Sequence, residues 1–271
     1  MSRTIQKLGL IAGNGKFPVL FARAAKLKGI KVVAAGIRGD TEFYFPFLVD
    51  RFAWFNPGEL KKLFSFFKTE DIHQVIMAGQ VNPKNLFDSK VTMDQEFKAL
   101  FAALSDRKAD TIFKAVAERL EANGMELLDS TILLEDFLAP KGTLTKRAPT
   151  ILELEDIQFG FTIAKLMGGI DIGQTVVVKE KAIVAIEAME GTDRAILRGC
   201  SIAQTGAVVV KTSKPKQDNR FDVPVIGPKT IRTMAKGQGG CLAIEAGKTL
   251  IIEKDETLRI ANRAGICIVA A

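Results

Sequence analysis

The stretch Leu8-Gly9-Leu10-Ile11-Ala12-Gly13-Asn14-Gly15-Lys16-Phe17-Pro18 decides how this chain is read. An apolar run ends in a glycine turn. A helical run over 18–28 then opens on proline, tolerated there because the first helical N–H has no intrahelical partner to lose. Gly29 stops the helix, and a second apolar run covers 30–35. A strand, a helix and a strand within about 30 residues is the pattern of a parallel sheet flanked by helices.

Working outward, the pattern repeats. Residues 50–55 and 75–78 read as strands, the second ending at Gly79-Gln80-Val81-Asn82-Pro83. Between them Asn56-Pro57-Gly58 caps a helix with Leu60, Leu63, Phe64 and Phe67 on one face. Helices follow at 94–105 and 110–121, then a strand at 126–128. The fold class is therefore α/β, with a Rossmann-like N-terminal domain. The turn Gly13-x-Gly15-x-x-Pro18 is not a dinucleotide fingerprint, because proline stands where the third glycine belongs. A glycine turn at a strand end can present N–H groups to a phosphate or a sugar hydroxyl, and it reads equally well as a plain tight turn.

Residues 133–149 break the rhythm, with Lys141, Lys146 and Arg147 set among Pro140, Gly142 and Pro149. They mark the crossover between domains at 1–132 and 133–271. Their cations face either a ligand or solvent. The second half reads as a mixed α/β domain. A helix at 152–167 is stopped by Gly168-Gly169, and a hairpin pairs 175–178 with 182–186. A helix at 194–204 has Thr192 or Asp193 as its N-cap. A strand at 207–210, a helix at 228–236, strands at 241–245, 249–252 and 266–269, and a helix at 256–263 complete the chain.

The 271 residues are 47% hydrophobic and 25% charged, ordinary values for a globular protein. A net charge of +7 suits a polyanionic partner, whether nucleic acid, anionic lipid headgroups or a phosphorylated substrate. Cys200, Cys241 and Cys267 are widely spaced and read as buried free thiols of a reducing cytoplasm. No signal peptide is evident, and no apolar run reaches the ~18 residues of a membrane span. The expected location is cytoplasmic or peripheral to a membrane.

The polar loop after the 207–210 strand runs Lys214-Pro215-Lys216-Gln217-Asp218-Asn219-Arg220-Phe221-Asp222-Val223-Pro224. Its cations suit a phosphate-bearing ligand, and its carboxylates suit a divalent metal or the aiming of a water. It also reads as a solvated, proline-punctuated loop. His73 is the single histidine, so a Ser-His triad, a zinc hydrolase and a histidine-rich two-metal phosphoesterase are all poorly supported. No P-loop is present. Carboxylate chemistry with Mg²⁺ remains, and Asp222, Asp218, Glu187, Glu190 and Asp193 are the candidates. Two other classes compete. A nucleic-acid binder without catalysis lacks stacking aromatics in the basic second half. An NAD-dependent oxidoreductase lacks the glycine fingerprint.

Three segments together resemble the LpxI family, the UDP-2,3-diacylglucosamine pyrophosphatases of lipid A biosynthesis. They are Gly9-Leu10-Ile11-Ala12-Gly13-Asn14-Gly15-x-Phe17-Pro18, Glu187-Ala188-x-Glu190-Gly191-Thr192-Asp193, and Lys214-Pro215-x-Gln217-Asp218-x-Arg220-x-Asp222-x-Pro224-x-x-Gly227-Pro228. Gly142-Thr143-Leu144-Thr145 and Ile244-Glu245-Ala246-Gly247 extend the likeness over nearly the whole chain. The resemblance implies two domains with a ligand cleft between them. It implies Mg²⁺-dependent hydrolysis of UDP-2,3-diacylglucosamine to UMP and 2,3-diacylglucosamine 1-phosphate (lipid X). It implies a catalytic aspartate at Asp222. Glu190 and Asp193 would complete the metal site, and Lys211, Lys214 and Arg220 would neutralise the pyrophosphate. Gly13, Asn14, Gly15, Gly79, Gln80, Thr143, Thr145, Thr192, Asp193 and Gln217 join the expected substrate contacts. Nucleic acid is not an expected partner, whereas a homodimer and contact with the inner membrane are compatible with the reading.

Overall fold

The computed structural model describes residues 5–81, 92–106 and 108–271. Asn82 and Pro83, expected to follow the fourth strand, lie outside these residues. The chain forms two compact units, Met1–Leu134 with Asn219–Asp222 and Glu135–Asp218 with Val223–Ala271. The return of Asn219–Asp222 to the first unit differs from a simple division at residue 132. Its cause is a set of long-range bonds that no local pattern carries. The Ser130 N–H donates to the Asn219 carbonyl at 3.0 Å. The Ser130 hydroxyl lies 2.7 Å from the Arg220 carbonyl. Phe221 packs on the first unit's core and stacks on Phe113 at 5.8 Å.

In the first unit β1 (Lys7–Ala12), α1 (Phe17–Leu27), β2 (Lys31–Ile37), β3 (Arg51–Phe55), α2 (Leu60–Thr69), β4 (Gln74–Ala78), α3 (Gln95–Ala103), α4 (Ala109–Ala122) and β5 (Glu126–Leu127) follow in order. The sheet is parallel, ordered β3-β2-β1-β4-β5. Strands β1, β2 and β4 are buried almost throughout, which is why they read as continuous apolar runs rather than alternating ones. Val33, Ala35, Phe64, Phe67, Leu100 and Leu120 are central to the core on one face. Capping of α2 differs from expectation. Its N-cap is Glu59, which makes no side-chain cap bond. Asp94 serves both neighbours instead, accepting from the Lys61 N–H at 2.7 Å and from the Phe97 N–H of α3 at 2.8 Å.

The second unit contains β6 (Gly142–Thr143), α5 (Ile151–Gly169), β7 (Thr175–Lys179), β8 (Ala182–Ile186), α6 (Thr192–Ala203), β9 (Val208–Lys211), β10 (Val225–Ile226), α7 (Pro228–Lys236), β11 (Cys241–Ile244), β12 (Leu250–Ile251), α8 (Lys254–Arg263) and β13 (Cys267–Ala270). The main sheet is mixed, ordered β6-β13-β11-β9-β7-β8, with β9, β11 and β13 parallel. The pair β10 and β12 forms a small sheet of its own. The expected hairpin is present, but its turn residues Glu180 and Lys181 sit at φ 52° and 59°. Buried Asp156 on α5 makes this tenable by accepting from both turn N–H groups, at 3.0 and 2.6 Å.

α5 ends at Gly169, at the expected glycine pair, with Ile170 as its C-cap. A Cβ at Gly168 would lie 3.5 Å from the Lys214 Cα, and one at Gly169 would lie 3.7 Å from Pro215, both ordinary van der Waals contact. Arg147 is half-buried, and its guanidinium is held by protein groups. It binds Glu153 through two bonds of 2.7 and 2.9 Å and donates to the carbonyls of Gly240 and Gly265. Glu153 also closes the capping box of α5 with Thr150. The three cysteines are free and buried, as expected. No helix among the described residues is long and apolar enough to cross a membrane.

Candidate functional site

In the first sheet the chain runs outward from β1 through β2 to β3, then returns to β4 on the other side of β1. The junction of β1 and β4 is thus a topological switch point, the place where open parallel sheets gather ligands beyond the carboxyl ends of their strands. Gly13, Asn14 and Gly15 leave β1 there, and Gly79 and Gln80 leave β4. The two loops are laced together. Gly13 N–H donates to Ala78 at 2.8 Å, Asn14 N–H to Gln80 at 2.7 Å, and Gln80 N–H to Asn14 at 3.2 Å. Gly79 has φ 87°, and a Cβ on it would sit 2.5 Å from the Asn14 carbonyl. Any other residue would meet backbone and a left-handed conformation costing roughly 1–2 kcal/mol. Sequence reasoning found both glycine turns but not their mutual bonding.

Asp222 belongs to the same unit. The Ser130 hydroxyl that touches the Arg220 carbonyl is also 2.6 Å from the carbonyl of Met77, in β4. The segment leading to Asp222 is thereby fastened beside this strand's carboxyl end. Residues 219–221 form turns rather than an extended run. Arg220 therefore does not follow strand alternation, and its guanidinium reaches Glu121 at 3.2 Å. His73 stands at the opposite, amino-terminal end of β4, exposed and 3.1 Å from Asp71.

The second unit has a polar edge of its own, where β9 and β11 end and β7 begins. Lys211 Nζ donates to the Thr192 hydroxyl at 3.0 Å, and that hydroxyl donates to Glu187 Oε1 at 2.7 Å. Thr192 is thus not the expected N-cap. Gly191, at φ 82°, caps α6 and frees the threonine hydroxyl for this bond. On the same edge Lys165 Nζ binds Glu245 Oε2 at 2.7 Å, and Ser213 donates to that oxygen through its N–H and hydroxyl. Burial would raise the Glu245 pKa, but Lys165, Lys248 and Ser213 outweigh it and hold it at about 2. Sequence reasoning missed Lys165, Ser213 and Glu245 as a cluster, since they come from three separate elements.

Other expected residues are spread around this unit. Glu190 binds Arg198 at 2.5 Å, and Asp193 binds Lys229 at 2.7 Å. Each carboxylate holds a cation of its own. Lys214 pairs with Asp171 at 2.7 Å, while Gln217 folds back to accept from the Lys214 N–H at 2.6 Å. Thr143 lies on edge strand β6. Thr145 spends its hydroxyl inside the fold, donating to the Arg147 carbonyl and accepting from the Ile268 N–H, both at 2.9 Å. Among the described residues, no three His, Cys, Asp or Glu side chains gather as a metal cage.

Comparison with known proteins decides the family. The LpxI N-terminal domain model matches residues 7–137, and the LpxI C-terminal domain model matches 140–269. A curated relative from Caulobacter vibrioides, named UDP-2,3-diacylglucosamine pyrophosphatase LpxI, is 30% identical over 277 aligned positions covering 97% of each chain.

The chain belongs to the LpxI family.

Every site residue expected from the sequence lies within the two LpxI matches. Likeness to solved structures is slight. Pyruvate carboxylase of Rhizobium etli aligns at TM-score 0.28 and 14% identity over 45% of this chain and 10% of its own. The biotin carboxylase domain of Hydrogenobacter thermophilus 2-oxoglutarate carboxylase aligns at 0.30 and 13% identity over 74% of this chain and 42% of its own. Neither likeness carries an argument about this LpxI chain.

Proposed function

We propose that this protein hydrolyses the pyrophosphate bond of UDP-2,3-diacylglucosamine, giving UMP and 2,3-diacylglucosamine 1-phosphate (lipid X) in lipid A biosynthesis. The observation that carries the reading is the relative of that name, matched over 97% of both chains. The fastening of the Asp222 segment to the sheet end through Ser130 supports the placement of the chemistry. Purified protein mixed with the substrate and Mg²⁺ tests it. UMP should appear with time, and unchanged substrate would sink the reading.

In this mechanism Asp222 accepts a proton from a water as the water oxygen bonds to one phosphorus. The bond from that phosphorus to the bridging oxygen breaks, and the second phosphate leaves with the electron pair. Mg²⁺ suits the donor set, because it takes hard oxygen ligands and is commonly held by one or two carboxylates plus substrate phosphates. Asp222 offers such a carboxylate. Glu190 and Asp193 would have to release Arg198 and Lys229 before serving. Bound at Asp222, the ion would offset negative charge on the phosphates. The Gly13-Asn14-Gly15 and Gly79-Gln80 loops supply polar backbone to the substrate at the first sheet's edge. Within the second unit, Lys211 is a cation suited to a phosphate.

A diacylated substrate resides in a bilayer, and the first unit has a face suited to one. Leu27, Phe43 and Phe47 are 89%, 81% and 86% exposed. Phe47 shares a shallow surface depression with Lys26 and Lys31, and Arg23 and Lys28 are exposed on and just after α1. An exposed ring beside Lys26 and Lys31 fits an anionic lipid surface, which adds charge attraction to apolar insertion. The protein should sediment with phosphatidylglycerol vesicles and not with phosphatidylcholine alone. The double substitution Phe43→Ser, Phe47→Ser should lower its vesicle partition coefficient roughly 10-fold. Equal sedimentation of that variant, or loss of self-association in place of vesicle binding, would count against a lipid partner.

A further inference from the structure

The polar row at the second sheet's edge contains groups that the fold leaves unspent. Lys211 is the register partner of Thr175 across β9 and β7, and the Glu187 N–H donates to the Thr175 carbonyl at 2.8 Å. Two residues further along, Val209, Val177 and Ala185 pack with Ile196 of α6. Strand alternation therefore brings Lys211, Thr175 and Glu187 to that same face. The bonds of Lys211 and Glu187 to Thr192, on α6, agree with this.

The lysines of this unit are treated differently from one another. Lys165 and Lys214 are neutralised by Glu245 and Asp171. Lys211 makes no ion pair among the described residues and is held by the neutral Thr192 hydroxyl. A cation aimed without being neutralised keeps its charge for an anion. Beside it, Glu187 Oε2 and the hydroxyl of Thr175 are buried without a hydrogen-bond partner, and Thr175 is 0% exposed. Such groups are costly unless a ligand or an ordered water satisfies them.

We infer that Glu187 is a positioning residue that aims Lys211, through the Thr192 hydroxyl, at a phosphate, and that its second oxygen accepts from a hydroxyl of the same sugar-phosphate ligand. This deepens the proposed function and rests on it for the identity of the full substrate. The division of labour is specific. Glu187 Oε1 accepts the Thr192 proton, which leaves the threonine lone pairs facing Lys211 Nζ. Glu187 Oε2 can only accept, so it selects a donor such as a sugar hydroxyl and rejects bare phosphate oxygens.

Two probes separate these roles, inorganic pyrophosphate and glucosamine 1-phosphate, titrated calorimetrically into the full-length protein. Thr192→Val should weaken both about 10-fold, a change of about 1.4 kcal/mol. Thr192→Ser should restore both, an outcome that a merely structural threonine would not give. Glu187→Gln keeps an acceptor for Thr192 but puts an NH₂ in place of Oε2. It should weaken glucosamine 1-phosphate about 10-fold and pyrophosphate far less. Wild-type protein that binds neither probe, a serine variant as poor as valine, or a glutamine variant equal to wild type on both probes would each overturn the inference. The last result would mean that water satisfies Oε2. Wild-type hydrolysis of UDP-2,3-diacylglucosamine is followed alongside. Its absence, with the probe pattern intact, would remove the substrate reading and leave this one standing.

Discussion

Asp222→Ala should lower turnover by roughly 100-fold or more, the usual scale for losing a group that moves a proton or stabilises charge in the transition state. The expectation rests on how firmly the residue is held. The Arg220 carbonyl two positions earlier is fixed on Ser130, and the Phe221 ring is packed against Phe113. A carboxylate whose preceding residues are anchored is aimed, unlike an ordinary surface aspartate. KM should change little, because groups remote from the reacting phosphorus supply most of the binding. Asp218→Ala is the control and should cost much less. Matched thermal melts exclude unfolding as the cause. A near-wild-type Asp222→Ala beside a dead Asp218→Ala would show that the chemistry belongs to the other carboxylate.

Removal of divalent cations should abolish hydrolysis altogether. Hydrolysis of a pyrophosphate builds charge on phosphoryl oxygens and on the leaving group, and that charge must be offset. Lys211 is one cation free of an acidic partner at its sheet edge, whereas Lys214 is already paired with Asp171. Protein cations therefore cover the developing charge only in part, and an ion held by a hard carboxylate supplies the remainder. Excess EDTA should reduce UMP release to background, Mg²⁺ should restore it, and Mn²⁺ should substitute. Full activity in excess EDTA would refute the metal requirement.

Much of this was legible in residue order. The run through Gly13-Asn14-Gly15 announced a parallel sheet, because fully buried strands need no alternation and βα turns need glycine. The hairpin at residues 179–182 and the helices from 94 to 122 were similarly local. What the sequence hid was cooperation at a distance. Ser130 and Arg220 are 90 positions apart, and Asp94 caps a helix that begins at Leu60. Thr192 looked like an N-cap because nothing local says that Gly191 takes that place. The candidate residues were picked by residue type, and the family resemblance supplied the expected substrate. The bonds that aim Lys211 and hold Asp222 became visible only in the fold.

The central claim, hydrolysis of a nucleotide-sugar pyrophosphate, is tested most directly by running the reaction in water enriched in oxygen-18 and weighing both products. The account predicts UMP and 2,3-diacylglucosamine 1-phosphate in equal amounts, with one labelled oxygen in one of the two phosphates and none in the other. Release of UDP with an unphosphorylated sugar, or products that carry no label, would contradict it.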